Sequence, residues 1–567
     1  MFANFAAWMS FAVALIAGRV HAAESLAQYV DDRVALYAEV NHLDADWTAL
    51  EASELGRRWK TTPLALGLQA APMMQRWEQL DQKLAQKSGQ TLTQHLRRLF
   101  SQTVALALFL PESGEPQALL LARGESATTM QETIATWNRL ESQVQVSTKT
   151  AGQQSYFART AGSTTVYYAL IDDVFWLSDQ EDLVRQSVSH YGPAESSATL
   201  MQDATFASAW PTQVPAGSLV AYLAPRRWDL ALQSVDDNSF ASTKLMQAWQ
   251  SVTSVIARVS LNADGPSAEL LATLDAEAVS EGWKLWCGSA KQSATLWQSP
   301  LPADAILAMG GRMDPVPVVQ GLRALMPPGE QLEWDRAMRI ARSVFLDQEP
   351  WSAIGRTLLN DWGCYLVMRP LTEQTPVRQH PFVAVWTSHF PQDRLSRELR
   401  DALENAISFS LNLAMVGLNS QPTGGTTSLQ KSRSSDEHHW KFTGRPEGEL
   451  SVSLRDSRLE ISTSVLELDR QAKSPRAALE QTPLSAAATE RLQSSAFGIW
   501  CHVRELRQQG LVPWVMGTAQ ARGKSTDHPQ VATLVSVAAL FDAIDLSAQW
   551  SRQRVRLQLG TDVRMAD

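Results

Sequence analysis

The chain has 567 residues, 44% of them hydrophobic and 19% charged, too long for one ordinary core and too apolar for wholesale disorder, so about two to four domains are expected. Its formal net charge is -9 with both signs mixed along the chain, which excludes the basic footprint of a nucleic-acid binder.

Residues 1–22 read as a signal peptide. The apolar run Phe5 to Gly18 is too short to cross a bilayer comfortably, and Val20-His21-Ala22 offers small side chains where a signal peptidase reads, so cleavage is expected after Ala22. No Lys or Arg precedes the run, and a buried N-terminal helix or an uncleaved membrane anchor are the alternatives. No later stretch reaches transmembrane length without charges.

"VDDRVALYAEVN" (30–41) reads as an entry strand, and Trp47, Trp59, Trp77 and Trp137 fall among apolar residues at helical spacing. "TVALALFLPESGEPQALLLARG" (103–124) is a hairpin, followed by a helix with Met130, Ile134, Trp137 and Leu140 on one face and Thr128 and Gln131 placed as a capping box. In "YYALIDDVFWLSDQEDLVRQ" (167–186) two strands flank Asp172-Asp173, a two-residue turn, and Ser178 is placed to cap the helix that follows. A catalytic carboxylate pair would converge in a cleft, whereas a hairpin tip points to water. "VPAGSLVAYLAP" (214–225) is a second entry-type strand, and "VIARVSLNADGPSAELLATLD" (255–275) a closing hairpin.

The same succession is then written again. "LPADAILAMGGR" (301–312) matches the Pro-Ala entry of 214–225, "GCYLVMRPLTEQTPVRQHPFVAVWTS" (363–388) is a hairpin, and Leu395, Leu399, Leu403, Ile407 and Leu411 mark the next helix. "LSVSLRDSRLEISTSVLELDRQA" (450–472) repeats strand, Asp456-Ser457 turn, strand, Ser462 cap and helix. "AIDLSAQWSRQRVRLQLGTD" (543–562) closes the second half. The fold class expected is α+β: two tandem related lobes, 23–285 and 301–567, each a mainly antiparallel sheet of hairpins covered by helices, with a linker at 286–300. The polar tract 419–439 reads as a mobile loop, and 517–530 as another.

The Pro-Ala-Asp entry at 302–304, the "DDVFWLSDQEDLVRQSV" unit and the terminal "IDLSAQWSRQRVRLQL" hairpin resemble an uncharacterised family of exported bacterial proteins, a domain of unknown function. The resemblance implies a secreted or periplasmic protein of repeated α+β modules and brings no catalytic residues with it.

Three cysteines, Cys287, Cys364 and Cys501, match no zinc or redox spacing. They read as buried apolar residues, with a Cys364–Cys501 bridge possible. A Gly-x-Ser-x-Gly elbow, a His-Glu-x-x-His zinc helix, a phosphate loop and a dinucleotide fingerprint are all missing from the sequence. In "DEHH" (Asp436, Glu437, His438, His439) adjacent side chains of a strand point to opposite sides, so one ion is not expected to be gripped there. His380, His389 and His502 read as structural or exposed. Of the 20 tryptophans, only Trp228, Trp351 and Trp514 have loop-like surroundings, and Trp228 with Arg226 and Arg227 would suit an acidic group on a ligand. No catalytic residue, metal or cofactor is assigned. The function expected is that of a non-enzymatic exported envelope protein that binds or organises a protein or glycan, with membrane contact only if the signal is uncleaved. A periplasmic hydrolase with dispersed residues in a cleft between lobes and a periplasmic folding helper are the alternatives.

Overall fold

The computed structural model describes residues 25–563 except 369–381, 464–483, 509–532 and shorter stretches between elements. The chain divides into two units: Met1–Asp275 with Ala532–Leu540 and Val563–Asp567, and Ala276–Val531 with Phe541–Asp562. Both are antiparallel sheet plus helices, so the α+β class holds.

In the first unit the strands are β1 (Leu36–Asn41), β2 (Thr103–Phe109), β3 (Gln117–Arg123), β4 (Val144–Ala151), β5 (Gln154–Ala161), β6 (Thr164–Ile171), β7 (Val174–Ser178), β8 (Ser218–Leu223), β9 (Val252–Asn262) and β10 (Gly265–Leu274). They pair antiparallel in the spatial order β4-β5-β6-β7-β3-β2-β1-β8-β9-β10. Its principal helices are α1 (Pro72–Ser88), α2 (Leu92–Leu99), α3 (Ala127–Leu140) and α4 (Glu181–Ser189). Helices cover both faces of β5–β7. Val184 and Val188 of α4 share one core with Tyr156, Ala169, Val174 and Trp176. Met130, Ile134 and Trp137 of α3 share another with Tyr168 and Phe175. Period-2 alternation decides this, because odd and even residues of each strand supply opposite cores.

The second unit contains β11 (Ala305–Gly311), β12 (Trp362–Met368), β13 (Phe382–His389), β14 (Ser428–Arg433), β15 (Glu437–Thr443), β16 (Ser451–Arg455), β17 (Arg458–Ser462), β18 (Phe497–Cys501), β19 (Ala543–Trp550) and β20 (Arg554–Asp562). Its order is β14-β15-β16-β17-β13-β12-β11-β18-β19-β20. Taken strand for strand, this is the order of the first unit. The helices α5 (Pro328–Val344) and α6 (Arg397–Asn419) hold the chain positions of α1 and α3, and α7 (Ala486–Gln493) lies before β18.

Each unit also has, ahead of its first strand, a 3-10 turn held by a buried acid. In the first, Ser25 Oγ (2.7 Å) and Leu26 N (3.1 Å) donate to Glu39 Oε2 at the start of Leu26–Tyr29. In the second, Thr295 donates to Asp361 through its backbone N (2.9 Å) and hydroxyl (2.5 Å) at the start of Thr295–Gln298. The carboxylate satisfies N–H groups that a helix start leaves unpaired. Leu296 and Trp297 of the second turn then lie on a row of three glycines, because Gly310 is in register with Gly363 on one side and Gly498 on the other. A Cβ at Gly363 would sit 2.7 Å from the Leu296 side chain.

Several local expectations change. The expected boundary at 285 falls inside the helix Glu281–Ser289 of the second unit, and the expected linker 286–300 carries the end of that helix and the 3-10 turn. Tract 419–439 is not a loop throughout: β14 and the start of β15 lie in it. Because β14 is an outer strand with polar side chains on both sides, it shows no apolar alternation. The helix α3 is capped two residues earlier than expected, by Ser126 Oγ accepting from Thr129 N at 3.1 Å, and not by Thr128. Ser178 does not cap α4; it donates to Ala118 O at 2.7 Å and accepts from Gln180 N. The entry strand at 301–312 has its counterpart by position in β1, while β8 (in 214–225) corresponds to β18. The closest sequence echo therefore joined strands with different places in the sheet. The second loop, 517–530, lies outside the described residues.

Candidate functional site

The two units differ most on one face of their equivalent strands. Where β5–β7 bury Tyr156, Ala169 and Trp176, the alternating residues of β15, β16 and β17 are Glu437, His439 and Lys441, then Ser451, Ser453 and Arg455, then Arg458, Glu460 and Ser462. The intervening residues Trp440, Phe442, Val452, Leu454 and Leu459 pack into the core under α6. Strand alternation thus collects the polar side chains of this sheet on a single side. Thr387 and His389 of β13 extend the strip, opposite Glu460 and Arg458.

These groups satisfy one another. Ser453 Oγ donates to Glu437 Oε1 at 2.5 Å, and Arg455 Nε lies 3.3 Å from the same oxygen. Burial raises the Glu437 carboxyl, but the Ser453 hydroxyl and Arg455 outweigh it and hold the group below its ordinary value. Glu460 is buried with Arg458 3.3 Å away, and burial pushes its carboxyl up despite that guanidinium. Burial likewise pushes the His389 imidazole down, with Asp361 opposing. His439 Nε2 and Ser451 Oγ are 2.5 Å apart.

That last pair has the spacing of a nucleophile and its base. Ser451, however, is fully buried, so a substrate carbonyl has no path to its oxygen. Among the described residues no carboxylate hydrogen-bonds to His439 to orient it, as a triad requires. Beside the strip, Gln430, Lys431, Ser432, His439 and Lys441 line a shallow depression of about 380 Å³. Its walls are polar, but the Lys431 ammonium is already paired with Glu404 at 2.5 Å, so the depression does not present two open cations to a ligand.

In "DEHH", Glu437 and His439 face the strip while His438 points into the opposite core, with Nδ1 3.0 Å from Glu404 Oε2. Asp436 lies outside the described residues, as do His380, Trp351, Trp514 and Asp456. Among the described residues, no group of three His, Cys, Asp or Glu side chains is placed to hold a metal ion. His502 follows β18, its ring 5.4 Å from that of Trp500.

Arg226 and Trp228 sit on the 3-10 turn Pro225–Trp228 and are engaged there. Trp228 Nε1 donates to Ala35 O at 3.0 Å; Arg226 pairs with Asp229 at 3.1 Å and donates to Trp249 O at 2.6 Å. Arg227 is exposed. The three are therefore not gathered on one open surface.

Asp172 and Asp173 form the two-residue loop between β6 and β7, Asp172 with φ of 50°. Asp172 accepts from the Tyr191 hydroxyl, and Asp173 pairs with Arg123 at 3.3 Å. The cysteines are free. Cys364 on β12 faces Met309 of β11, and Cys501 on β18 faces Leu307 of the same strand. With β11 between them they are about two strand spacings apart, near 10 Å, beyond disulfide reach. Burial pushes the Cys287 and Cys501 thiols up to about 11.

The polar strip does not stand out in the sequence because the apolar positions of "SVSLR" and "RLEIS" dominate their pattern. Polar residues at every second position of two adjacent strands were the signal.

The class defined by fold and site is an α+β protein of two antiparallel units, each with ten strands among the described residues, one of them carrying a buried polar face. No family model matches the chain, and no curated protein matches it. Among solved structures it is similar to crystal forms III and IV of TP0453, at 10% identity in each case and TM-scores of 0.23 and 0.24. These likenesses cover 44% and 45% of this chain and 80% and 81% of the other, and they are too slight to bear on function. Among the described residues no helix is long and apolar enough to cross a membrane.

Proposed function

We propose that the chain is a non-enzymatic, exported bacterial envelope protein whose repeated units bind or organise another macromolecule of the envelope, protein or glycan. One observation carries this reading: the polar strip on β13 and β15–β17 is hydrogen-bonded within itself and its Ser451 is buried, so it is built to hold structure. A catalytic site would keep its nucleophile open and aim donors at a developing charge. The export signal expected at residues 1–22 and the repeated scaffold support the envelope setting.

The test immobilises the mature chain, residues 23–567, and challenges it with envelope extract and with purified cell-wall glycan. Saturable retention of one defined protein or of glycan is expected. The reading fails if nothing is retained. It also fails if the chain hydrolyses an ester, peptide or glycoside panel and Ser451→Ala or Glu460→Gln abolishes that turnover in a protein with an unchanged melting curve.

A further inference from the structure

We propose that the depression on β14 and β15 binds a phosphate group, with Lys441 supplying the charge and Gln430, Ser432 and His439 the remaining donors. Antiparallel pairing sets these four side chains on one side of the sheet, Gln430 facing Lys441 and Ser432 facing His439. Lys431 alternates to the other side, where its ammonium meets Glu404 and the Trp440 ring.

The charges of the strip leave Lys441 over. Glu437 is matched by Arg455 and Glu460 by Arg458, each at 3.3 Å. Among the described residues the side chains of Lys441, Gln430 and Ser432 make no ion pair or hydrogen bond, and no residue lining the depression is acidic. His439 meets Ser451 through Nε2. With the Ser451 hydroxyl donating there, Nδ1 carries the ring proton and is the fourth donor.

The first unit holds an anion at the same place. Ala169 faces Trp176 as Ser453 faces Glu460, with Ser178 and Ser462 each two residues further on. On that alignment Tyr167 falls on Ser451, and the residues facing them, Ala158 and Lys441, fall together. Tyr156 then matches His439, and their partners across the next ladder, Lys149 and Ser432, match as well. Between Lys149 and Tyr156 lies the Glu181 carboxylate, accepting from both at 2.7 Å. Glu181 is third after Ser178 in the sequence, whereas third after Ser462 is Val465. The second half keeps donors at this place without an acid at that step of the sequence.

The donor set selects the anion. A carboxylate satisfies two donors in the first unit; four donors around one charge suit the several terminal oxygens of a phosphate. Lys binds phosphate as a point charge and lacks the planar fork with which Arg matches a carboxylate. A volume of about 380 Å³ admits the group and part of what bears it. The site stands on strand pairing and is independent of the envelope binding proposed above.

Isothermal titration of the mature chain, residues 23–567, with sodium phosphate, glucose 6-phosphate and acetate tests this, together with co-sedimentation on phosphatidylcholine vesicles with and without phosphatidic acid. Saturable binding of a phosphate-bearing probe is expected, about ten-fold or more tighter than that of acetate. Lys441→Met weakens it by about ten-fold or more, and the exposed Ser432→Ala by about three-fold, with unchanged melting curves. Lys149→Met leaves it unchanged, because Glu181 already fills the place in the first unit. The probe that binds names the source: a free ion, a phosphorylated sugar or a lipid headgroup. The proposal is overturned if no phosphate-bearing probe binds, if acetate binds as tightly, if Lys441→Met binds like the wild type, or if Lys149→Met loses as much as Lys441→Met.

Discussion

Asp172 adopts φ of 50°, a region that costs most side chains about 1–2 kcal/mol and that Asp tolerates better than bulky residues. That local cause was legible before the fold was known, because two acids between two apolar strands fit a two-residue loop. Their partners Tyr191 and Arg123 were not legible, since both come from elsewhere in the chain. Glu39 shows the same limit more sharply. In sequence it is one acid in a strand, yet it is buried and accepts hydrogen bonds from Ser25, Leu26 and the Tyr37 hydroxyl. Burial is the largest influence on it and raises its carboxyl above the ordinary value, against those donors. The folded state therefore holds the proton more tightly than the unfolded state. The resulting stabilisation is complete below the ordinary carboxylate value and is lost as pH rises through the folded value. Melting temperatures of wild type and Glu39→Gln between pH 4 and 8 check this: the wild type should lose ground to the variant as pH rises, and a gap constant across that range would contradict the assignment.

Of three consecutive hairpins in the first unit, one shows in the apolar pattern of the sequence. The loops Gly152-Gln153, Gly162-Ser163 and Asp172-Asp173 join β4 to β7, with φ of 60°, 61° and 50° at their first residues. A left-handed-tolerant residue at 152, 162 and 172 was a readable signal. The signal stands alone there because β4 and β5 are polar on their exposed sides and show little apolar alternation. The glycine row of the second unit was unreadable for a different reason: Gly310, Gly363 and Gly498 become neighbours only through the sheet register. Their role is close approach, and a Cβ at Gly363 would meet the Leu296 side chain at under 3 Å along its length. Gly363→Ala should cost about 1–3 kcal/mol in urea unfolding, the range for overpacking. A variant as stable as wild type would show that the 3-10 turn does not rest there as described.

For the whole molecule, the repeated order of elements was legible because each half must bury the same sequence of faces, and period-2 and helical patterns record that. The departures follow from what pattern cannot carry. Edge strand β14 is polar on both sides, the unit boundary at Asp275 has no composition shift, and the likeness between 214–225 and 301–312 reflects similar strands in different sheet positions. The contrast between the units is also physical: one buries apolar residues on both faces of its distal strands, the other apolar residues on one face and a hydrogen-bonded polar strip on its other.

The claim that both units share one strand order turns on the long-range pairings of β1 with β8 and β11 with β18. Paired cysteines measure them directly: Val40→Cys with Leu219→Cys in the first unit, and Leu307→Cys, which faces the native Cys501, in the second. Mass spectrometry of digests after oxidation should find the 40–219 and 307–501 disulfides in soluble, cooperatively melting protein. A chain that links only one of these pairs, or links either cysteine to a different strand, would contradict the shared order.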